Sequence, residues 1–180
     1  MFRKLRFTKL IALPLVGAMI VTACQTAPQP TRMPTAQPAA TIFLVRHAEK
    51  TADKNDPALT TQGRQRAELL ADTLKDAGIT RIYSSDYKRT RDTAAPLAKS
   101  LELTVELYNP SKLEDMANRL KSEGGRTLVV GHSNTTPQLT EHLGGEGGDP
   151  IVEATEYNRL YIVTLGKSGE ATTTLLRYGD

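Results

Sequence analysis

The chain has 180 residues and a mass of 19.7 kDa, with 39% apolar and 24% charged residues. Its formal net charge of +3 does not describe a basic surface. Four of the 23 basic residues and none of the 20 acidic ones fall in the first 24 positions, which leaves −1 for the rest, so nucleic acid is not a favoured partner on charge. The single cysteine, Cys24, excludes disulfides as the staple of any domain beyond it, and such a domain must be held by packing.

Residues 1–24 read as a targeting segment. Arg3, Lys4, Arg6 and Lys9 form a positive head, Leu10 to Val21 an apolar run, and "VTAC" a small-residue close at Cys24. The run is short of the roughly 20 apolar residues that span a bilayer as a helix, so cleavage is expected. "VTAC" resembles the lipobox of bacterial lipoproteins, in which the cysteine becomes the lipidated first residue of the mature chain. That resemblance implies a diacylated anchor at Cys24, giving the two-chain membrane attachment that one acyl chain cannot provide. It places the remainder in the bacterial cell envelope, outside the cytoplasm. Gln25, where an aspartate would signal inner-membrane retention, leans the expectation towards the outer membrane. The other reading is an ordinary cleaved signal with Cys24 incidental.

Residues 25–40, "QTAPQPTRMPTAQPAA", hold four of the ten prolines and too little apolar bulk for a core, so they read as an extended linker. Residues 41–180 are enough for one domain. The runs 41–46, 81–86, 103–108 and 127–132 suit strands. Between them, helical patterns start after Thr60 or Thr61 and stop at Gly78, then cover about 88–99, 111–121 and 136–143, the last two ending at Gly-Gly pairs. The runs 159–165 and 171–178, joined by "GKSGE", predict an antiparallel hairpin. Alternating strands and helices imply an α/β fold, a mainly parallel sheet with helices on both faces.

Ligands of such sheets bind beyond the carboxyl ends of the strands. Arg46 and His47 follow the first strand, "SSDYKRTRDTA" carries Arg89 and Arg91 after the second, and His132 follows the fourth. Two of the three histidines are thus brought to one edge.

"LVRHAEK", "LTTQGRQRA", "SSDYKRTRDTAAPLA" and "VVGHSN", in that order, resemble the histidine phosphatase superfamily, in the branch of the phosphoglycerate mutase relatives and the small phosphohistidine phosphatases. The resemblance covers Thr41 to about Leu143 and, more loosely, the final hairpin. It implies a three-layer α/β sandwich of the phosphoglycerate mutase-like kind and a phosphatase that needs no cofactor. His47 would be the nucleophile that carries a phosphohistidine intermediate. Arg46 and Arg89 would clamp the phosphate, and His132 would add a hydrogen bond to its oxygens. Guanidinium groups suit that task because they hold phosphate oxygens bidentately. The histidine nucleophile must be neutral, and two neighbouring arginines would favour that form.

Glu49, Ser133 and Asn134 are further substrate-binding candidates, the latter two at a helix start or serving only as its cap. Glu49, Asp56 and Glu106 are candidates for the acid that protonates the leaving group. Arg91 is expected to be solvated and His142 to sit at a helix end. No His, Cys, Asp and Glu cluster has metal-ligand spacing, so a metal-independent enzyme is expected. Only 42 residues separate Arg89 from His132, which leaves no room for a cap and suggests an open pocket for a bulky or exposed phosphorylated substrate. The rival expectation is a weakly active or inactive phosphate-recognition or scaffolding lipoprotein of the same fold.

Overall fold

The computed structural model describes residues 39–179. The targeting segment with Cys24 and nearly all of the expected linker lie outside the described residues. The first strand, β1 (Ala40–Arg46), begins one residue before the expected domain boundary. It is followed by α1 (Thr61–Leu74), β2 (Arg81–Ser85), α2 (Lys88–Ser100), β3 (Val105–Tyr108), α3 (Leu113–Glu123), β4 (Gly125–Gly131), α4 (Thr135–His142), β5 (Arg159–Leu165) and β6 (Ala171–Arg177). Among the described residues no helix is long and apolar enough to cross a membrane.

One six-stranded sheet runs in the order β3-β2-β4-β1-β5-β6. The β3-β2, β2-β4 and β4-β1 pairs are parallel, while β5 is antiparallel to β1 and β6 to β5. This is the α/β sandwich with a C-terminal antiparallel hairpin. Side chains alternate along a strand, so β1 feeds two cores. Ile42 and Leu44 pack under α3 and α4 with Met116, Leu120 and Leu139. Phe43 and Val45 pack under α1 and α2 with Leu70, Leu74 and Leu97.

The element ends that differ from expectation have local causes. Of the two expected caps of α1, Thr60 serves, its hydroxyl accepting from Gly63 N at 3.0 Å. Leu103 N is tied to Ala98 O at the end of α2, so β3 starts two residues later. Asn109 Oδ1 accepts from Ser111 N and folds that stretch into a turn, which delays α3 to Leu113.

Two glycines are needed for close approach. A Cβ on Gly63 would sit 2.2 Å from the Glu49 carbonyl oxygen, so α1 lies directly on the loop after β1. A Cβ on Gly131, the last residue of β4, would meet Tyr108 Oη at 2.9 Å and Thr135 Oγ1 at 3.0 Å.

Candidate active site

The four parallel strands end along one edge, and the site is built there. His47 N donates to Gly131 O at 2.9 Å, which extends the β1–β4 ladder by one step and brings His47 beside His132. The two rings meet edge to face, 5.6 Å between centroids. His47 is 3% exposed. Its Nδ1 lies 2.7 Å from the Ala48 carbonyl oxygen. A carbonyl can only accept, so Nδ1 carries the proton and Nε2 keeps its lone pair. The backbone at this point is fixed in turn by Ala48 N, which donates to Thr93 Oγ1 at 3.0 Å.

Burial lowers the His47 pKa to about 3, with the positive charges of Arg46, Arg89 and His132 acting in the same direction. The arginines therefore favour the neutral imidazole as expected, but desolvation is the larger cause. His132 is lowered to about 4, by burial first and then by Arg89 and Arg46. Its Nε2 meets Ser85 Oγ at 2.9 Å, and Arg89 Nη2, which can only donate, lies 3.4 Å from its Nδ1. Ser85 Oγ donates onward to Thr90 Oγ1, whose proton goes to the Ser85 or Tyr87 carbonyl. The chain of donors assigns the His132 proton to Nε2.

Both arginines expected to clamp phosphate reach the site. Arg46 is 1% exposed. It donates from Nη1 to Glu156 O at 2.9 Å and from Nη2 to Glu153 O at 2.8 Å, and its plane stacks on Tyr157 at 4.0 Å. Arg89, in the first turn of α2, stacks on Tyr87 at 4.4 Å. The Nε of each is buried without a hydrogen-bond partner. Two orphaned guanidinium donors beside a pair of neutral histidines suit an anion, because a buried unmet donor costs about 1–3 kcal/mol. Each tyrosine also faces a histidine: Tyr87 lies 4.9 Å from His132 and Tyr157 6.1 Å from His47.

Each of the three candidate acids meets a cation. Both Glu49 oxygens accept from Arg66 Nε, at 2.8 and 3.0 Å, and Arg66 Nη2 adds a contact at 2.8 Å. Glu49 thus ties the loop after β1 to α1. Glu106 lies mid-strand and pairs with Arg119 of α3 at 2.7 Å, away from the carboxyl edge. Asp56 does come to the edge, with a backbone φ of 47°. It accepts from Lys88 N at 2.8 Å and so caps α2, which has no side-chain cap of its own. It lies 4.0 Å from Arg89 and 3.9 Å from Arg91. Asp56 thus joins the start of α2 to the Arg89 side chain. Arg91, expected to be solvated, is paired with Asp86 as well.

Asn134 lines an open groove of about 280 Å³ with Tyr87, Arg89, Pro110, Ser111, His132 and Thr135, and Ser133 stands half-buried beside it. Asn134 occupies the cap position of α4 without making a cap bond, while Thr135 Oγ1 accepts from His132 N at 3.0 Å. His142 ends α4. Among the described residues no group of three or more His, Cys, Asp or Glu is placed to hold a metal ion.

Sequence reasoning missed Tyr87, Ser85, Tyr157 and Arg66. Tyr87 and Ser85 stand inside "SSDYKRTR" and Arg66 inside "LTTQGRQRA", where their positions in quoted motifs were a usable signal. Tyr157 lies in an irregular stretch with no pattern to mark it.

The family model of the histidine phosphatase superfamily (branch 1) matches residues 42–116, which include Arg46, His47 and Arg89 but stop short of His132. A probable phosphoglycerate mutase GpmB of Escherichia fergusonii is 39% identical over 105 residues, covering 54% of this chain and 48% of the relative. The corresponding protein of Erwinia tasmaniensis is 36% identical over 73 residues, 37% of this chain and 34% of that one. The matched stretch therefore spans about half or less of these curated relatives.

Among solved structures, the protein histidine phosphatase SixA with tungstate superposes with a TM-score of 0.59 at 23% identity, covering 76% of this chain and 96% of that one. A mycobacterial glucosyl-3-phosphoglycerate phosphatase gives 0.61 at 13%, covering 78% and 98%. The phosphoglycerate mutase of Bacillus anthracis gives 0.60 at 17%, covering 81% and 95%. These likenesses show a shared fold. The family model adds a likeness in sequence over the stretch that holds Arg46, His47 and Arg89.

Proposed function

We propose that the protein is a metal-independent phosphatase that hydrolyses phosphate monoesters or phosphoramidates through a phosphohistidine on His47. The observation that carries this reading is the Nδ1–H bond from His47 to the Ala48 carbonyl, which leaves a neutral imidazole with Nε2 unprotonated. Nε2 attacks phosphorus, the bond from phosphorus to the leaving atom breaks, and its electron pair departs with the leaving group. Water then attacks the phosphorus of the phosphohistidine, and Nε2 recovers its lone pair as inorganic phosphate leaves. One difficult displacement becomes two easier ones. Arg46 and Arg89 supply positioning and charge stabilisation, the main demands of a loose phosphoryl transition state, and His132, whose N–H is on Ser85, donates to phosphate only by giving up that bond.

With Glu49, Asp56 and Glu106 all committed to cations, the leaving group receives little help from a carboxylic acid. Weakly basic leaving groups, such as an aryl oxide or a phosphoramidate nitrogen that the substrate already carries protonated, suit that site best. Hydrolysis is preferred to mutase chemistry because the segment from α2 to β4 carries only β3 and α3 between short connections, with no cap to retain an intermediate.

The test is hydrolysis of p-nitrophenyl phosphate with chelator present, beside His47→Ala. Turnover that requires His47 supports the enzyme. Phosphate binding without turnover in the intact protein would favour a recognition module instead. We also propose anchoring in the bacterial envelope, outer membrane rather than inner, through lipid on Cys24, a reading that rests on "VTAC". Palmitate labelling that persists in Cys24→Ser would reject it.

A further inference from the structure

We infer that Glu156 is a positioning residue for Arg46, acting through the carbonyls that hold the guanidinium; this rests on the proposed role of Arg46 in binding phosphate. A guanidinium is planar, so fixing two of its nitrogens fixes the direction of the third N–H. Arg46 is fixed in this way by Glu156 O and Glu153 O, acceptors more than a hundred residues away in sequence, and its remaining buried Nε–H has no partner in the protein. The aim of that orphan donor is therefore set by the stretch between α4 and β5.

That stretch is irregular, and the Glu156 carboxylate holds it together. The carboxylate accepts from Val152 N across its own turn at 3.0 Å, from Arg159 Nε and Nη2 at 2.7 and 2.9 Å, and from Arg177 Nη1 at 2.7 Å. Arg159 is 7% exposed and continues the network to Asp149 O at 2.6 Å and Tyr161 Oη at 3.0 Å, and Tyr161 Oη donates to Gly147 O at 2.9 Å. Both strands of the hairpin thus grip the turn that carries the two carbonyls. Tyr157, next in sequence, closes the guanidinium face. Arg46 is held in place before any phosphate arrives, so binding does not have to order a long flexible side chain.

The test is binding of inorganic phosphate to four forms of the protein: wild type, Glu156→Gln, Arg46→Ala and the double variant. Glu156→Gln keeps the side-chain volume but loses the charge that pairs with Arg159 and Arg177. It should weaken phosphate roughly tenfold when Arg46 is present and leave affinity unchanged in the Arg46→Ala background. Equal weakening in both backgrounds, or none in either, overturns the inference.

Should Glu156→Gln fail to fold, Arg177→Gln removes one half-exposed contact and leaves the Arg159 pair. It should weaken phosphate by about twofold to threefold with the same dependence on Arg46. If the wild type binds no phosphate, the proposed function falls, and the positioning role is then read from exchange of the Arg46 Nε–H with solvent. That exchange should be faster in Glu156→Gln or Arg177→Gln, and an unchanged rate overturns the inference on its own.

Discussion

His47 and His132 stand edge to face, 5.6 Å apart, and each is fixed in one tautomer by a different acceptor, the Ala48 carbonyl for one and the Ser85 hydroxyl for the other. The pair is therefore not interchangeable. His47 presents Nε2 as a lone pair, and the lone pair of His132 faces Arg89.

Removing the proposed nucleophile would separate binding from chemistry. In His47→Ala, turnover of p-nitrophenyl phosphate should fall by at least about 10³-fold, while phosphate affinity stays within a few-fold, since Arg46 and Arg89 remain. Rapid acid-labile phosphoenzyme formation from labelled substrate should appear in the wild type and be absent from the variant. A labelled variant would move the nucleophile elsewhere.

Ser85→Ala removes the acceptor of a half-buried N–H and frees the His132 ring. The unmet donor is worth about 1–3 kcal/mol, so kcat/KM should drop by roughly tenfold, with Ser85→Thr, where the hydroxyl fits, recovering part of it. Steady-state kinetics on the two variants checks this. An unchanged Ser85→Ala would mean that the ring is held by Arg89 alone.

The pH dependence has a defined sign. Unfolded, both histidines protonate near 6.5, whereas the folded protein resists protonation until about 3 at His47 and about 4 at His132. Between those limits the unfolded state binds more protons, so stability falls as pH drops from about 6.5 towards 4. Denaturant melts across that range should show the decline, and His132→Gln should flatten part of it. The free enzyme's kcat/KM profile should carry no histidine limb near 6.5.

Glu49→Gln tests a structural against a catalytic carboxylate. Breaking its ion pair with Arg66, where both partners are nearly buried, should cost about 3 kcal/mol of stability. The rate per folded molecule should be unchanged on good and poor leaving groups alike. Gly63→Ala should destabilise by a similar amount, about 3 kcal/mol, because its Cβ would collide with the backbone carbonyl of the same Glu49. Thermal melts beside a leaving-group series distinguish the two roles.

Much of this was legible in sequence because it depends on local pattern. Strand ends, caps and glycine stops are set within a few residues, and parallel strands place Arg46, His47, Arg89 and His132 on one edge whatever the packing detail. The partners of the acid candidates were not legible, because which cation meets a carboxylate is decided by packing. Arg66 comes to Glu49 across the α1 contact at Gly63, and Arg119 to Glu106 from a neighbouring helix, neither of which periodicity reveals. Tyr157 and Glu156 were invisible for a stronger reason. Glu156 meets Arg46 across 110 residues through a main-chain oxygen, which every residue type possesses, and the Tyr157 ring is brought to Arg46 by the same irregular stretch.

β1 also gives the domain a front and a back. It begins at Ala40 and ends at Arg46, and seven residues at about 3.3 Å each separate the two by roughly 20 Å. Whatever precedes the domain in the chain joins it at the far end of that strand from the histidines. A probe attached at Ala39 would therefore report on the end of the sheet opposite the histidines.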